Sequence, residues 1–263
     1  MRDAGLDRAI DAAGGVAQLA RKICISQPSV SNWSEIPAQR VIAVELATGV
    51  PRAELRPDLY PEHHHERTVS LDGVDPIDVA RAQEYALLAA LLAAAPSKSL
   101  LDRLTGLNGD ETPLGRAHAA LAEAAARANA GQIEREYFDL FVGLGRGELL
   151  PYASYYLTGF LNERPLSRLR SDLAALGIER AENNSEPEDH AAVLCEIMAG
   201  MADGRLEVSF EAQRALFEKH VSPWMGRLFA DMEQAANANF YRAVGTLGRQ
   251  FIEIERQGFS FAK

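Results

Sequence analysis

Apolar side chains recur at helical spacing through most of this chain. Phe240, Val244, Leu247, Phe251 and Ile254 fall at i, i+4, i+7, i+11 and i+14, and Phe217, Val221, Trp224, Met225, Leu228 and Met232 form a similar stripe just before them. Stripes of this kind are the core-facing sides of long helices. Leu88, Leu91, Leu92 and Ala95 mark another, predicted over 76–95 and stopped by Pro96. The pattern predicts further helices over 99–107, 113–130, 132–142, 151–162, 165–176, 187–202 and 210–256, the last interrupted near Gln234. Near the N-terminus, shorter helices are predicted over 16–22 and 27–34. Ala, Leu, Glu and Arg dominate and β-branched runs bounded by turns are missing, so the expected fold class is all-α.

The periodicity lapses in YPEHHHERTVSLDGVDP, a polar stretch containing Pro and Gly. This predicts a linker over 61–76 between a domain at 1–60 and a larger one at 77–263. Its three neighbouring histidines, His63, His64 and His65, lack the i, i+4 spacing and fixed geometry of a metal site, and read as solvated linker residues.

Charge sharpens the division. The 263 residues carry 37 acidic and 27 basic side chains, a net charge of -10 that repels polyanions in bulk. Residues 1–60 hold seven of each, so the whole excess of acid belongs to the remainder. Cys24 and Cys195 are too few for a disulfide framework, which predicts a reducing compartment and a cytoplasmic location. The opening MRDAGLDRAIDAAGG has acids and no sustained apolar run, so no leader is expected. The apolar run LLAALLAAAP ends too early to cross a membrane.

In GGVAQLARKICISQPSVSNW, a turn of about four residues separates the two short helices, the spacing of a helix-turn-helix. Small Ala20 permits close approach, Leu19, Ile23 and Ile25 fill the space between, and Val30 and Trp33 form the inner face of the second helix. Ser26 is placed to cap that helix. Its outer face then carries Gln27, Ser29 and Asn32, side chains that hydrogen-bond to base edges. The segment resembles the Cro/repressor-type helix-turn-helix, including the short form of phage-derived regulators and toxin–antitoxin loci, over residues 1 to 61. Cys24 stands where that turn usually has Gly. The resemblance implies DNA binding, with a dimer reading two half-sites. The balanced charge of residues 1–60 also suits a module that packs on protein and no longer touches DNA.

Chemistry in the larger domain is sparse. There is no Cys/His cluster at metal spacing, no GxSxG elbow and no Walker sequence, so neither a cofactor nor catalysis is expected. GLGRGELLP lacks the Lys and Ser/Thr of a phosphate loop and follows a helix, which makes it a helix terminator. Beyond it Pro151 is placed to start a helix on which Tyr152, Tyr155, Tyr156 and Phe160 form an aromatic stripe. In NNSEPEDHAAVLCEIMAGM, Ser185 and Glu188 have capping-box spacing, with Pro187 in the first turn and Glu186, Glu188 and Asp189 at the positive end of the helix. Capping leaves His190 and the surplus of acid without an explanation. Acids beside aromatics also suit a receptor for a basic and apolar peptide.

Three stretches, EYFDLFVGLGRGELLPYASYY, EPEDHAAVLCEIMAGM and FEKHVSPWMGRLFADME, together resemble the TorD/DmsD/NarJ-type chaperones for redox enzymes, over residues 77 to 256. The resemblance implies a helical bundle that binds the twin-arginine signal peptide of a molybdenum or tungsten oxidoreductase, such as a formate dehydrogenase. It would hold that enzyme until cofactor insertion is complete. By motif alignment Tyr152, Ser154, Tyr156, Glu186, Asp189 and His190 would line the peptide groove, acids toward the arginines and aromatics toward the apolar stretch, while Pro151, Pro187 and Gly143 would shape the backbone. Glu186→Lys or Asp189→Lys is then expected to abolish peptide binding with helicity unchanged. The other reading is a transcription regulator whose helical domain senses a client or ligand.

Overall fold

The computed structural model describes residues 3–23, 25, 27–58, 75–179 and 186–261. Cys24, Ser26, His63, His64, His65 and Ser185 lie outside the described residues, as does all of the expected linker but Asp75 and Pro76. The chain divides into two compact units, Met1–Thr68 and Val69–Lys263. Among the described residues every regular element is a helix, and the β-type pairing is one isolated antiparallel bridge between Tyr152 and His190.

The smaller unit comprises α1 (Ala4–Ala13), α2 (Val16–Lys22), α3 (Gln27–Ser31), α4 (Val41–Thr48) and α5 (Arg52–Leu55). Asp3 caps α1 by accepting from the Gly5 N–H at 3.1 Å. Gly5 is needed where it stands: a Cβ there would lie 2.1 Å from the Leu55 carbonyl oxygen, so α1 and α5 approach backbone to backbone. Leu6, Leu19, Val30, Ile36, Val41 and Leu55 fill one core, with Trp33 half-buried against it. The Ile25 N–H bonds to the Ala20 carbonyl at 3.0 Å and closes the turn between α2 and α3. α3 is shorter than its sequence pattern: it ends at Ser31, and the Trp33 N–H turns back to Val30.

The larger unit runs through α6 (Pro76–Ala93), α7 (Lys98–Leu104), α8 (Pro113–Arg127), α9 (Ala130–Tyr137), α10 (Ala153–Thr158), α11 (Arg164–Ala175), α12 (Ala191–Ala202), α13 (Phe210–Leu216), α14 (Met225–Gln234) and α15 (Phe240–Phe261). α12 packs along α6, and α15 packs on both α14 and α8. Trp224, Tyr85, Tyr241, Phe217 and Phe229 are the largest fully buried side chains of this second core. Glu255, buried on α15, is held by the Arg81 guanidinium through both oxygens (2.7 and 2.9 Å) and by the Tyr85 hydroxyl at 2.8 Å. That pairing satisfies a charge which would otherwise be costly to bury and fixes α6 against α15.

Several predicted boundaries shift for local reasons. Pro151 does not start a helix; Tyr152 stays extended and α10 begins at Ala153. α12 begins at Ala191 rather than 187, capped by His190, so Glu188 is not a capping-box residue and instead pairs with Arg170 at 2.8 Å. The stretch after 210 breaks at Ala235, where an interruption near Gln234 is expected, and has a further break that is not expected, a π-turn at Phe217–Val221 leading into Trp224. A second π-turn, Phe138–Val142, ends α9. Ile254 leaves the core stripe and is exposed, while Phe240, Val244, Leu247 and Phe251 are buried on it.

Candidate peptide-binding junction

The site is built where two segments 35 residues apart in sequence lie side by side. After the π-turn, Gly143 takes φ +63, and a Cβ on it would meet the Arg146 carbonyl oxygen at 2.1 Å, so the tight reversal at 143–147 requires glycine. The chain returns along itself, with the Leu149 N–H on the Leu140 carbonyl at 2.7 Å. It then meets the residues before α12: the Ala191 N–H bonds to the Pro151 carbonyl (2.8 Å) and the Ala153 N–H to the Asp189 carbonyl (3.0 Å).

This pairing brings five of the six motif residues together. The Tyr152 hydroxyl donates to Glu186 Oε2 at 2.7 Å, and its ring meets the His190 ring edge-on with centroids 4.9 Å apart. Burial, followed by that bond and the Glu186 charge, pushes the Tyr152 hydroxyl pKa well up. Asp189 is 1% exposed and accepts the Ser154 N–H through Oδ2 at 2.8 Å. Its Oδ1 and the Ser154 hydroxyl, which is also fully buried, have no hydrogen-bond partner among the described residues. His190 accepts the Ala192 N–H at Nδ1 (3.1 Å), an N-cap that needs the ring's lone pair. Burial pushes the His190 pKa down, against the upward pull of the Glu186 and Asp189 charges.

Tyr156, the sixth, faces elsewhere. Its hydroxyl donates to Asp231 Oδ2 at 2.9 Å, and its ring lies 5.5 Å from that of Trp224. Gly159 ends α10 in the left-handed region, so Phe160 leaves the helix and stands 70% exposed. The aromatic stripe therefore splits: Tyr152 belongs to the α12 side and Tyr156 to a groove of about 660 Å³ lined by Leu150, Tyr155, Leu157, Arg227 and Asp231. The Arg146 guanidinium bonds to the Tyr155 hydroxyl and lies over its ring at 5.0 Å, tying the glycine turn to α10. Leu144, at the apex of that turn, is 98% exposed. Sequence reading assigns no role to Arg146, Arg227 and Asp231, although all three lie within the stretches that carry the family resemblance.

In the smaller unit Gln27, Ser29 and Asn32 are all exposed on and just beyond α3, opposite buried Val30. Among the described residues no group of three or more His, Cys, Asp or Glu is placed to hold a metal, and no helix is long and apolar enough to cross a membrane.

Comparison with known proteins places both units. Residues 107–230 match the family described as nitrate reductase delta subunit, and residues 6–64 match the one described as bacterial toxin YdaS. The chaperone protein TorD of Vibrio cholerae serotype O1 is 30% identical over 167 residues, covering 58% of this chain and 76% of that protein. The chain belongs to the TorD family of chaperones. TorD of Vibrio atlanticus is 26% identical over 201 residues, which are 67% of this chain and 93% of that protein. A solved redox enzyme maturation protein of Archaeoglobus fulgidus aligns with TM-score 0.43 at 18% identity, covering 65% of this chain and 93% of that one.

Proposed function

We propose that residues 77–263 form a cytoplasmic maturation chaperone that receives the twin-arginine signal peptide of a molybdenum or tungsten oxidoreductase, such as a formate dehydrogenase. The observation that carries this reading is the convergence of Tyr152, Ser154, Glu186, Asp189 and His190 at the paired segments beside α10 and α12. The work is divided by depth. Glu186 and Tyr152, only partly buried, form the polar rim that meets an arginine, while Asp189, Ser154 and His190 sit behind it and fix the backbone of the rim. The groove along Tyr156 and Leu157, with uncovered Phe160 beside it, suits the apolar stretch that follows the arginines. Nothing in this mechanism requires bond chemistry; the peptide is bound and released.

Calorimetric titration with a client signal peptide tests this. Glu186→Lys, which sets like charge against the arginines, is expected to abolish binding, and a peptide with both arginines replaced by alanine is expected to bind at least tenfold more weakly, about 1.4 kcal/mol. Unchanged affinity in both would remove the assignment.

A second reading is favoured by the match over residues 6–64 and by the exposure of Gln27, Ser29 and Asn32: residues 1–60 bind DNA, joined by the 61–76 linker, so that the same polypeptide regulates transcription in response to its client. Gel-shift assays with genomic fragments test it, and no specific shift at low salt would sink it.

A further inference from the structure

Two tyrosine–carboxylate pairs stand on the first turn of α10. The Tyr156 N–H bonds to the Tyr152 carbonyl at 3.1 Å, so these residues are one helical turn apart. The Tyr152 hydroxyl holds Glu186 at 2.7 Å and that of Tyr156 holds Asp231 at 2.9 Å, so the turn carries one carboxylate from the segment before α12 and another from α14. Asp231 is exposed, and its Oδ1 has no hydrogen-bond partner among the described residues. Two other charged residues line the groove along Tyr156. Glu148 is taken up by the Ala236 and Asn237 N–H groups. Arg227, one turn before Asp231 on α14, lies over the Tyr156 ring with its guanidinium 5.7 Å from the centroid, and that guanidinium makes no hydrogen bond or ion pair among the described residues. Arg146 lies in the same way over Tyr155, but it is anchored by a bond to the hydroxyl. A loosely held guanidinium of the chain itself thus rests on an aromatic face near an open carboxylate oxygen.

Resting on the signal-peptide reading above, we propose that Tyr156 and Asp231 form the subsite for the second arginine of the pair, a place that Arg227 holds in the free chain. Neighbouring side chains of an extended peptide point to opposite sides. A peptide laid across the first turn of α10 then directs its first arginine to Glu186 and its second to Asp231, where the guanidinium stacks on Tyr156 and bonds the open Oδ1. The apolar residues after the pair continue along Leu157 toward uncovered Phe160, which puts the second arginine rather than the first on the Tyr156 side. Each carboxylate serves one arginine, so the site reads two cations in sequence instead of net charge. Arg227 is a competitor in this scheme, because it shares both the ring face and the charge of the arriving side chain.

The experiment titrates the full chain calorimetrically with a synthetic twin-arginine signal peptide of a formate dehydrogenase, and with copies carrying alanine at the first or at the second arginine. Asp231→Asn keeps an acceptor for the Tyr156 hydroxyl and is expected to weaken the parent peptide about tenfold, about 1.4 kcal/mol. It is expected to bind the parent and the second-position copy within about twofold of each other, while still separating the parent from the first-position copy. Arg227→Ala removes no hydrogen bond or ion pair, so it tests the same subsite independently of any loss of fold in Asp231→Asn. It is expected to bind the parent about threefold more tightly than the unmodified chain, with no gain for the second-position copy. Unchanged affinity in Asp231→Asn, an equal loss for all three peptides, or weaker binding of the parent by Arg227→Ala overturns the subsite while the signal-peptide reading stands. No binding by the unmodified chain, or binding indifferent to both alanines, overturns that reading and the subsite with it.

Discussion

His190 does two jobs, the first of which requires a neutral ring. Its Nδ1 lone pair caps α12, and its ring supports Tyr152. Because burial lowers its pKa below the ordinary 6.5, the folded state favours the neutral form. The sign follows: its stabilisation is complete above the unfolded pKa and is lost as pH falls below it. Burial shifts His220 the same way, whereas His118, raised by its bond to Glu84, contributes stability below the ordinary value that is lost as pH rises. Replacing His190 by Asn keeps a good cap without a titrating group. His190→Asn is therefore expected to show a smaller fall in Tm between about pH 7.5 and 5 than the unmodified chain, and an equal fall would remove the neutral-cap role. The same depth argument corrects the expectation for Asp189→Lys. At 1% exposure Asp189 has no room for a longer ammonium side chain, and its bond to the Ser154 N–H would be lost, so helicity is expected to fall along with binding. Asp189→Ala leaves the Ser154 N–H unsatisfied and is expected to cost about 1–3 kcal/mol in urea unfolding. The motif letters were legible in sequence; which of them face solvent was not, because burial arises only when 151–154 and 186–191 pair.

At the scale of elements, long stripes and the break near Gln234 read well, while the π-turns within the stripes read poorly. The periods through α6, α14 and α15 predicted buried faces because a helix of this length has little choice of which side to bury. The two π-turns were invisible, since Phe217 and Val221 keep apolar spacing through the altered winding. Pro151 and Ser185–Glu188 carried ordinary start signals, and tertiary pairing overrode the first while the cap passed to His190. The glycine turn was legible as a terminator, but its role in aiming Glu148 was not: that carboxylate accepts the Ala236 and Asn237 N–H groups, at 2.7 and 3.3 Å, and so braces the break before α15. Gly143→Ala is expected to cost about 1–3 kcal/mol, because it adds left-handed strain to a backbone clash. A urea midpoint unchanged from that of the unmodified chain would contradict the close approach at Arg146.

At the scale of the whole molecule, the two cores share no residue: Leu6 to Leu55 build one and Tyr85 to Phe259 the other. Each unit thus has the apolar interior that independent folding requires. The acidic excess, 30 acidic against 20 basic side chains, lies wholly after residue 60, where an arginine-bearing peptide is the proposed guest and DNA would be repelled. These facts predict how function divides when the chain is cut. A fragment of residues 75–263 is expected to keep its helicity and to bind the signal peptide within about twofold of the full chain, since every residue of the paired junction is present. On the DNA reading, it is expected to have no affinity for a DNA duplex, because Gln27, Ser29 and Asn32 lie in residues 1–60. A fragment that folds yet loses the peptide would mean that the smaller unit completes the peptide site, and a fragment that binds a duplex would overturn the DNA reading of residues 1–60.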